Sequence, residues 1–399
     1  MKRIFLLVFK WEYIWLCLIL VFTLVIHFVI ISSTSELILD EQHYIKDARN
    51  IIEKHETLRL EHPPLGKLFF VAGIEIFGDN PWGWRFFPII FGSASIVLFY
   101  FICRRLNMSP LASSIAAFLL ALENMTFIHA SVAMLDVYYL TFMLGSFLLY
   151  LNRRYITSGI ATGLSALTKL NGALALPVMI VHWIFSRPER FRWFALIFLS
   201  ALLAFVLLMI VFDFAIVQDT SDIVDPLSRT KMMMNLSGNL TFATVTHEYR
   251  SHPWEWLFSY KPMPYWYTPS YTGAISPAVW VLIVPSFAYM VYRAFKRNEA
   301  ALFGTAWFFG TYLLWIPATL ITDRVTYIYY FYPAVGAVCI GLAMALSQLI
   351  DIYRQRRSGK LKWTVLSIVV FYMLAHLVTF VILSPLVPLD ISRVSLGGG

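Results

Sequence analysis

Apolar residues form long uninterrupted segments along this chain, and polar residues gather in the intervals between them. About 20 apolar residues cross a hydrocarbon layer as a helix. Three shorter segments, near 110–123, 155–167 and 171–186, need neighbouring helices to cover their ends. With the longer ones they predict an all-α polytopic membrane protein of about eleven transmembrane helices. The longer segments lie near 13–32, 86–103, 131–151, 192–213, 275–295, 301–321, 327–349 and 362–384.

Lysine and arginine residues predict the orientation of these helices. Of the 31 in the chain, 18 fall in alternate short turns and flanks, such as Arg104-Arg105, Arg153-Arg154 and Lys296-Arg297. Cytoplasmic loops carry such an excess of positive charge. The pattern predicts a cytoplasmic N-terminus, and an odd number of spans places the C-terminus on the opposite side. The first apolar run lacks a small-residue cleavage site, which predicts a retained anchor helix.

Composition narrows the class of protein further. Hydrophobic residues make up 59% of the chain and charged residues 14%, which excludes a soluble protein and favours one integral membrane domain over residues 1–399. The net charge of +8 is explained by the basic turns, so no nucleic-acid partner is expected. The three cysteines lie in or beside apolar spans without ligand spacing, and no metal site is predicted from them.

Two long outer loops, near 33–85 and 214–274, have enough chain to build a site. In the first loop, Tyr44, Ala48, Ile51 and Ile52 follow helical spacing and predict an amphipathic helix at the membrane surface. A second apolar stripe after Pro63-Pro64 predicts another interfacial helix; its members are Leu68, Phe69, Ala72 and Ile76.

The first loop also carries the strongest candidate chemistry. Asp40 and Glu41 lie at the mouth of the first span, where carboxylates are costly and invite a functional interpretation. Lys67, near a predicted helix N-terminus, and Arg85, at the mouth of the second span, are suited to phosphate oxygens. The alternatives are that the acids only mark a helix end and that Arg85 snorkels to lipid headgroups.

Further polar groups fall on the same side. Asp136 lies in an apolar run and needs a partner, for which Lys169 is the natural candidate; a structural salt bridge is the alternative to a functional pair. Arg324 could reach a lipid phosphate at the end of a later span. The second outer loop is rich in aromatic residues and contains His252 and Trp254, which suits sugar stacking, a substrate lid or interface anchoring.

In order, these motifs resemble the protein O-mannosyltransferase family of polyprenyl-phosphate-sugar-dependent glycosyltransferases, which have the GT-C fold. The resemblance spans nearly the whole chain, and the related aminoarabinose transferases share the first-loop pattern. Two departures are visible: Ser131 stands where family members often have arginine, and the second outer loop is too short for the soluble β-trefoil domain of eukaryotic members. The resemblance therefore implies a compact prokaryotic type in the plasma membrane. Its motifs are Asp40-Glu41-x-His43-Tyr44, Glu61-His62-Pro63-Pro64-Leu65-Gly66-Lys67, Trp84-Arg85, Ala133-Met134-Leu135-Asp136, Thr168-Lys169-x-Asn171-Gly172 and Ser251-His252-Pro253-Trp254.

The resemblance implies roles for individual residues. Asp40 corresponds to the general base, with Glu41 as its catalytic neighbour. Lys67 and Arg85 correspond to positions that hold the donor phosphate. Arg324 is assigned to the same phosphate from its place at the end of a span and not from the resemblance. Asp136 is the second acid, supported by Lys169. His62, His252 and Trp254 are assigned to the acceptor and sugar loop.

The implied reaction is inverting transfer of a sugar, mannose in this family, from a polyprenyl or dolichyl phosphate to a hydroxyl group, such as that of a protein serine or threonine, on the extracytoplasmic face. No cofactor is required, although Asp40, Glu41 and Asp136 could hold a divalent cation. Two alternatives stay open: transfer to a lipid or glycan acceptor, and a transporter or flippase of a lipid-linked substrate. The absence of an internal repeat weakens the transporter hypothesis. The expected partners are the lipid-linked donor, the hydroxyl acceptor and membrane lipid; the sequence does not fix the oligomeric state.

Overall fold

The computed structural model describes residues 11–186, 191–217, 225–355 and 359–386. Helices dominate this part of the chain, because a helix satisfies its own backbone hydrogen bonds where a hydrocarbon layer offers none. The predicted positions of both termini and the basic turns at 187–190 and 356–358 lie outside the described residues, as does 218–224 of the second outer loop. The helices are α1 Trp11–Ile30, α2 Glu41–Lys54, α3 Leu65–Phe77, α4 Pro81–Arg105, α5 Pro110–Ala121, α6 Asn124–Ser131, α7 Leu135–Leu151, α8 Tyr155–Thr168, α9 Ala175–Ser186, α10 Phe191–Ile216, α11 Pro226–Gly238, α12 Glu255–Phe258, α13 Pro277–Trp280, α14 Ile283–Phe295, α15 Glu299–Phe308, α16 Trp315–Thr322, α17 Val335–Gln355 and α18 Lys360–Leu383.

Shorter elements complete the described chain. Two 3-10 helices, Leu170–Leu174 and Ile328–Ala334, precede α9 and α17, and a π-helical turn, Phe309–Leu313, joins α15 to α16. In the second outer loop, β1 Met263–Trp266 pairs antiparallel with β2 Tyr271–Gly273. This hairpin was not predicted, because the aromatic residues of the loop were considered only for sugar stacking, a substrate lid or interface anchoring.

The helices make the chain an integral membrane protein. Six helical segments of the described chain are long and apolar enough to cross a membrane, and a seventh appears if α5 and α6, bent by 58°, are counted as one. The segments Leu135–Leu151 and Leu170–Ser186 are shorter apolar helices. Each of the eleven apolar segments of the sequence coincides with a helix or a run of helices. The helical fold is confirmed, and the number eleven stays a prediction.

The first outer loop folds into α2 and α3, as the apolar pattern predicts. Tyr44, Ala48 and Ile51 of α2 are buried, so this face packs on protein. The predicted stripe of α3 is not its most buried face: Leu68, Phe69 and Ala72 are half-buried and Ile76 is 63% exposed, whereas Phe70 on another face is fully buried.

A close helix contact explains the buried face of α3. Gly73 lies against α4 so closely that an added Cβ would stand 2.0 Å from the carbonyl oxygen of Gly83. Only glycine permits this approach. The contact fixes α3 on α4 and thereby sets the position of the segment between α2 and α3, which lines the site described below.

Candidate active site

A pocket of about 330 Å³ lies where the first outer loop meets the second outer loop and two span ends. The first loop supplies one wall, the start of the 3-10 helix after α8 supplies another, and the segments 237–245 and 324–330 supply the rest. The lining residues are Asp40, His43, Tyr44, Arg59, Glu61, His62, Lys169, Leu170, Asn171, Ser237, Leu240, Val245, Arg324, Val325, Tyr327, Tyr329 and Tyr330. Four residues nominated from the sequence, Asp40, His62, Lys169 and Arg324, are therefore brought together here.

Asp40 occupies the N-cap position of α2 but does not use its side chain to cap the helix. Within the described part of the chain, no hydrogen bond to its carboxylate is found, and the side chain lines the pocket. Burial raises the pKa of Asp40, while the charge of Lys169 lowers it. A carboxylate with a raised pKa and free oxygens is a stronger proton acceptor than an exposed aspartate.

Glu41, the next residue, points into the protein. Its carboxylate oxygens accept from Arg85 Nε at 2.9 Å and from Arg85 Nη2 at 2.8 Å. They also accept from the backbone N–H groups of Ile38 at 2.9 Å and Ala133 at 2.7 Å. Both side chains of the ion pair are fully buried. Glu41 thus ties the turn before α2 to α4 and to the link between α6 and α7, which fits a positioning role; its assignment as a catalytic group stays a prediction.

Arg85 has no donor left for a phosphate. Its Nη1 donates to the carbonyl oxygens of Ile31 and Thr34 at 3.0 and 2.9 Å, and Nη2 also donates to that of Glu36 at 3.0 Å. Together with the two bonds to Glu41, these contacts engage all the N–H groups of the guanidinium. In this arrangement Arg85 forms an internal ion pair that anchors the chain after α1, and its predicted phosphate contact has no free N–H group to use.

Lys67 is engaged in the same way. Its Nζ donates to Thr57 Oγ1 at 2.5 Å and to the carbonyl oxygen of Arg59, and lies 3.3 Å from Asp47 Oδ2. Burial lowers the pKa of Lys67 to about 8, and the charge of Asp47 opposes that shift. An ammonium group has three donors, and these contacts engage them in the loop between α2 and α3; the phosphate role of Lys67 stays a prediction.

Asp136 and Lys169 form the ion pair that the sequence predicts. Lys169 Nζ lies 2.9 and 2.8 Å from the two carboxylate oxygens of Asp136. Asp136 stands in the first turn of α7, whereas Lys169 caps the C-terminus of α8 and lines the pocket. Lys169 Nζ also lies 5.6 Å from the ring centroid of Tyr329. The ion pair therefore places the positive charge of Lys169 at the pocket wall.

Arg324 offers the freer positive group. Its Nη2 donates to the Tyr330 hydroxyl at 3.3 Å. Its Nη1 is buried and has no hydrogen-bond partner in the described chain. A buried guanidinium nitrogen without a partner is costly, which makes this nitrogen a natural contact for an anionic ligand. Arg59, the third cation of the pocket, already contacts His43 and lies 3.5 Å from Glu61.

His62 lines the pocket, but His252 and Trp254 do not. The His62 imidazole lies 3.4 Å from the Tyr44 hydroxyl, and burial followed by the charge of Lys169 lowers its pKa well below the usual range. His252 is instead stacked between Phe242 and Trp254, at centroid distances of 3.9 and 4.4 Å. In this arrangement His252 and Trp254 pack within the second outer loop, and their assignment to the substrate stays a prediction.

Several pocket residues were missed from the sequence. Tyr329 and Tyr330 fell inside a predicted span, because the apolar pattern continues through the 3-10 helix that precedes α17. Arg59 was not singled out from the sequence, because the first loop contains many other charged residues. Its place just before the Glu61-His62 motif was the available signal.

The carboxylates do not converge on a metal site. Among the described residues, no group of three or more histidine, cysteine, aspartate or glutamate side chains could hold an ion. Glu41 and Asp136, two of the three acids named for a cation, are committed to Arg85 and Lys169. Whether the reaction depends on a metal stays untested.

Similarities to known proteins agree with the architecture. Residues 61–214 match the family described as dolichyl-phosphate-mannose-protein mannosyltransferase. The chain is 23% identical to a polyprenol-phosphate-mannose–protein mannosyltransferase of Mycobacterium tuberculosis, over 78% of this chain and 76% of that protein. It is 24% identical to the Corynebacterium glutamicum protein of the same name, over 86% of this chain and 84% of that protein.

Solved structures show the same fold. The Saccharomyces cerevisiae protein O-mannosyltransferase Pmt1-Pmt2 complex, bound to the sugar donor, matches with a TM-score of 0.74 at 10% identity, covering 96% of this chain and 90% of that one. ArnT from Cupriavidus metallidurans bound to undecaprenyl phosphate matches with a TM-score of 0.55 at 16% identity, covering 92% and 70%. The chain is a glycosyltransferase with the GT-C fold. The resemblance to the protein O-mannosyltransferases is confirmed.

Proposed function

We propose that this chain transfers mannose from a polyprenyl phosphate to a hydroxyl group of a protein, with inversion at the anomeric carbon. The observation that carries the proposal is the carboxylate of Asp40, which has no hydrogen bond among the described residues and lies in one pocket with Lys169 and Arg324. A base and an anion-binding pair are what displacement of a phosphate by a hydroxyl requires. The names of the relatives support the donor and the acceptor class.

The reaction is a single displacement. The Asp40 carboxylate takes the proton of the acceptor hydroxyl as that oxygen forms a bond to the anomeric carbon. The bond between that carbon and the phosphate oxygen breaks, and the electron pair leaves with the polyprenyl phosphate. Arg324 Nη1 and Lys169 Nζ stabilise the developing negative charge, because they are held in place before the reaction. Attack opposite the leaving group inverts the configuration, as in inverting glycosidases.

The proposed site lies on the extracytoplasmic face of a prokaryotic plasma membrane, with the N-terminus in the cytoplasm. The support is the distribution of basic residues: the pocket lies at one end of the bundle, and the basic turn Lys296-Arg297 lies at the other end of α14 and α15. Cysteine labelling of Glu56→Cys and Lys296→Cys in a Cys17→Ser background tests this orientation. The proposal requires labelling of position 56 from outside and of position 296 only after permeabilisation; the reverse pattern overturns it.

Product analysis tests the reaction itself. Purified protein would be incubated with polyprenyl phosphates carrying mannose, glucose or aminoarabinose, together with peptides that contain serine or threonine, and the products identified by mass spectrometry. The proposal predicts that only the mannosyl donor gives a glycosylated peptide. The mannosyl linkage in that peptide should have the anomeric configuration opposite to that of the donor. Transfer to lipid with no glycopeptide, or retention of configuration, would overturn it.

A further inference from the structure

The segment between α2 and α3 supplies three residues to the pocket, Arg59, Glu61 and His62. It has no regular secondary structure of its own, so its carbonyl groups need partners from elsewhere. Two buried cations supply them. Lys67 donates to the carbonyl oxygen of Arg59 from α3, and Arg229 donates to the segment from α11 of the second outer loop.

Arg229 makes two such contacts. Its Nη1 donates to the carbonyl oxygen of Leu60 at 2.5 Å, and its Nη2 donates to that of His62 at 3.3 Å. The residue is 4% exposed, although it belongs to a helix whose other residues are largely exposed. The acids that interact with its charge are Asp213 on α10, Glu61 and Asp47. No salt bridge to any of them is present among the described residues. The two bonds to carbonyl oxygens are therefore the main direct contacts of this guanidinium.

A carboxylate on α2 accepts hydrogen bonds from the start of the same segment. The Asp47 carboxylate of α2 accepts from the Thr57 hydroxyl at 3.1 Å and from the Leu58 N–H at 2.5 Å. The segment is thus bound by α2 at its start and by Lys67 and Arg229 along its carbonyl oxygens. The contacts of Arg229 are the ones that come from the second outer loop.

We infer that Arg229 is a positioning residue for the donor site: by binding the carbonyl oxygens of Leu60 and His62, it couples the second outer loop to the first and fixes the segment that carries the pocket cation Arg59. The inference rests on the proposed function and deepens it. Arg229 itself does not line the pocket. The base is positioned separately, since Asp40 is placed by the Glu41–Arg85 pair. Loss of Arg229 should therefore impair donor binding more than the chemical step.

Kinetics of purified variants test the inference. In Arg229→Met, the KM for the lipid donor should rise about 10-fold or more, the equivalent of one or two hydrogen bonds from a charged group, whereas kcat should change far less. Arg229→Lys keeps one donor to the segment and should restore part of the loss. Lys231→Met, an exposed neighbour on the same helix, is the matched control. Thermal unfolding of each variant sets an assay temperature at which all are folded.

A double variant tests whether Lys67 and Arg229 act together on the segment between α2 and α3, or whether Lys67 contacts the donor phosphate directly. If Lys67 and Arg229 hold the same segment, Lys67→Met with Arg229→Met should raise KM little more than the larger single change. If the KM increases of the two single variants multiply in the double variant, the claim that both residues hold the same segment is overturned. An unchanged donor KM in folded Arg229→Met, or a fall in kcat alone, would overturn the role of Arg229. Product analysis of the wild-type chain stands apart from these results, so failure of the inference and failure of the proposed function are distinguishable.

Discussion

Asp40 and Glu41 are neighbours in the chain, yet their side chains lie in different environments. The Asp40 carboxylate faces the pocket, whereas Glu41 accepts four hydrogen bonds inside the protein. The helical turn separates them, because successive residues at a helix start point about 100° apart. The sequence identifies the acidic pair but cannot assign the two roles, since the partners of Glu41 come from α4 and from Ala133.

Removal of the Glu41 charge should affect stability first. Glu41→Gln leaves the Arg85 guanidinium buried without a counter-charge, which costs about 3–5 kcal/mol in such pairs. The expected result is a marked fall in unfolding temperature in detergent or nanodiscs. Glu53→Gln, an exposed acid on the same helix, is the control and should unfold like the wild type. A stable Glu41→Gln protein that lacks activity would support the catalytic assignment of Glu41.

Arg324 is the residue at which a change should act on the donor. Arg324→Ala removes a charged donor to phosphate, worth about 1.5–3 kcal/mol, and should raise the donor KM by roughly 10- to 100-fold. The unfolding temperature should move little, because Nη1 has no internal partner in the described chain. Arg85→Ala should show the opposite signature, a loss of stability. Equal donor KM values for Arg324→Ala and the wild type would remove Arg324 from the phosphate site.

The pH dependence should report Asp40. Burial raises the pKa of Asp40, so the base becomes ionised, and kcat/KM should rise, at a higher pH than for an ordinary aspartate. Lys169 opposes that shift, and Lys169→Met should therefore move the acidic limb further upward. The direction for folding is consistent: a raised folded-state pKa favours protonation, so the contribution of Asp40 to stability falls as pH rises through that pKa. A limb that moves downward in Lys169→Met would contradict this coupling.

At the scale of elements, apolar segments predict the helices well and their faces poorly. Every apolar segment is helical, and α2 buries the stripe that its spacing predicts. The stripe of α3 is only partly buried, since Ile76 is exposed while Phe69 packs against Tyr138 and Phe142. A membrane protein presents apolar residues both to its core and to lipid, so composition does not distinguish the two faces of such a helix. The glycines distinguish these faces, because Gly66 and Gly73 lie on the buried side of α3.

The contact at Gly73 can be tested directly. Gly73→Ala places a methyl group against the Gly83 carbonyl oxygen, a rigid backbone atom, and should destabilise the protein by about 1–3 kcal/mol. Gly145→Ala is the matched control, since nothing lies within 4 Å of the added Cβ and the helix propensity of alanine is higher. Thermal unfolding should separate the two variants. Equal unfolding temperatures would mean that α3 and α4 can move apart without cost.

At the scale of the whole molecule, the sequence nominates residues that meet in one pocket, but it does not show which of its cations are already engaged inside the protein. Asp40, His62, Lys169 and Arg324 meet in one pocket although 284 residues separate the first from the last. The internal contacts of Arg85 and Lys67 could not be predicted, because the carbonyl oxygens and carboxylates that bind them come from loops with no periodic pattern. Such tertiary partners leave no signal in a single sequence, whereas charges at the ends of spans do.

The most direct test of Asp40 as the base is single-turnover transfer by Asp40→Asn, measured with mannosyl polyprenyl phosphate and an acceptor peptide. The amide keeps the shape of the side chain but cannot take the proton, so the rate should fall by roughly 10²–10⁴-fold. The dissociation constant of the donor should be unchanged, because Arg324 and Lys169 remain, and the unfolding temperature at neutral pH should not fall. A folded Asp40→Asn protein that transfers mannose at the wild-type rate would contradict the assignment.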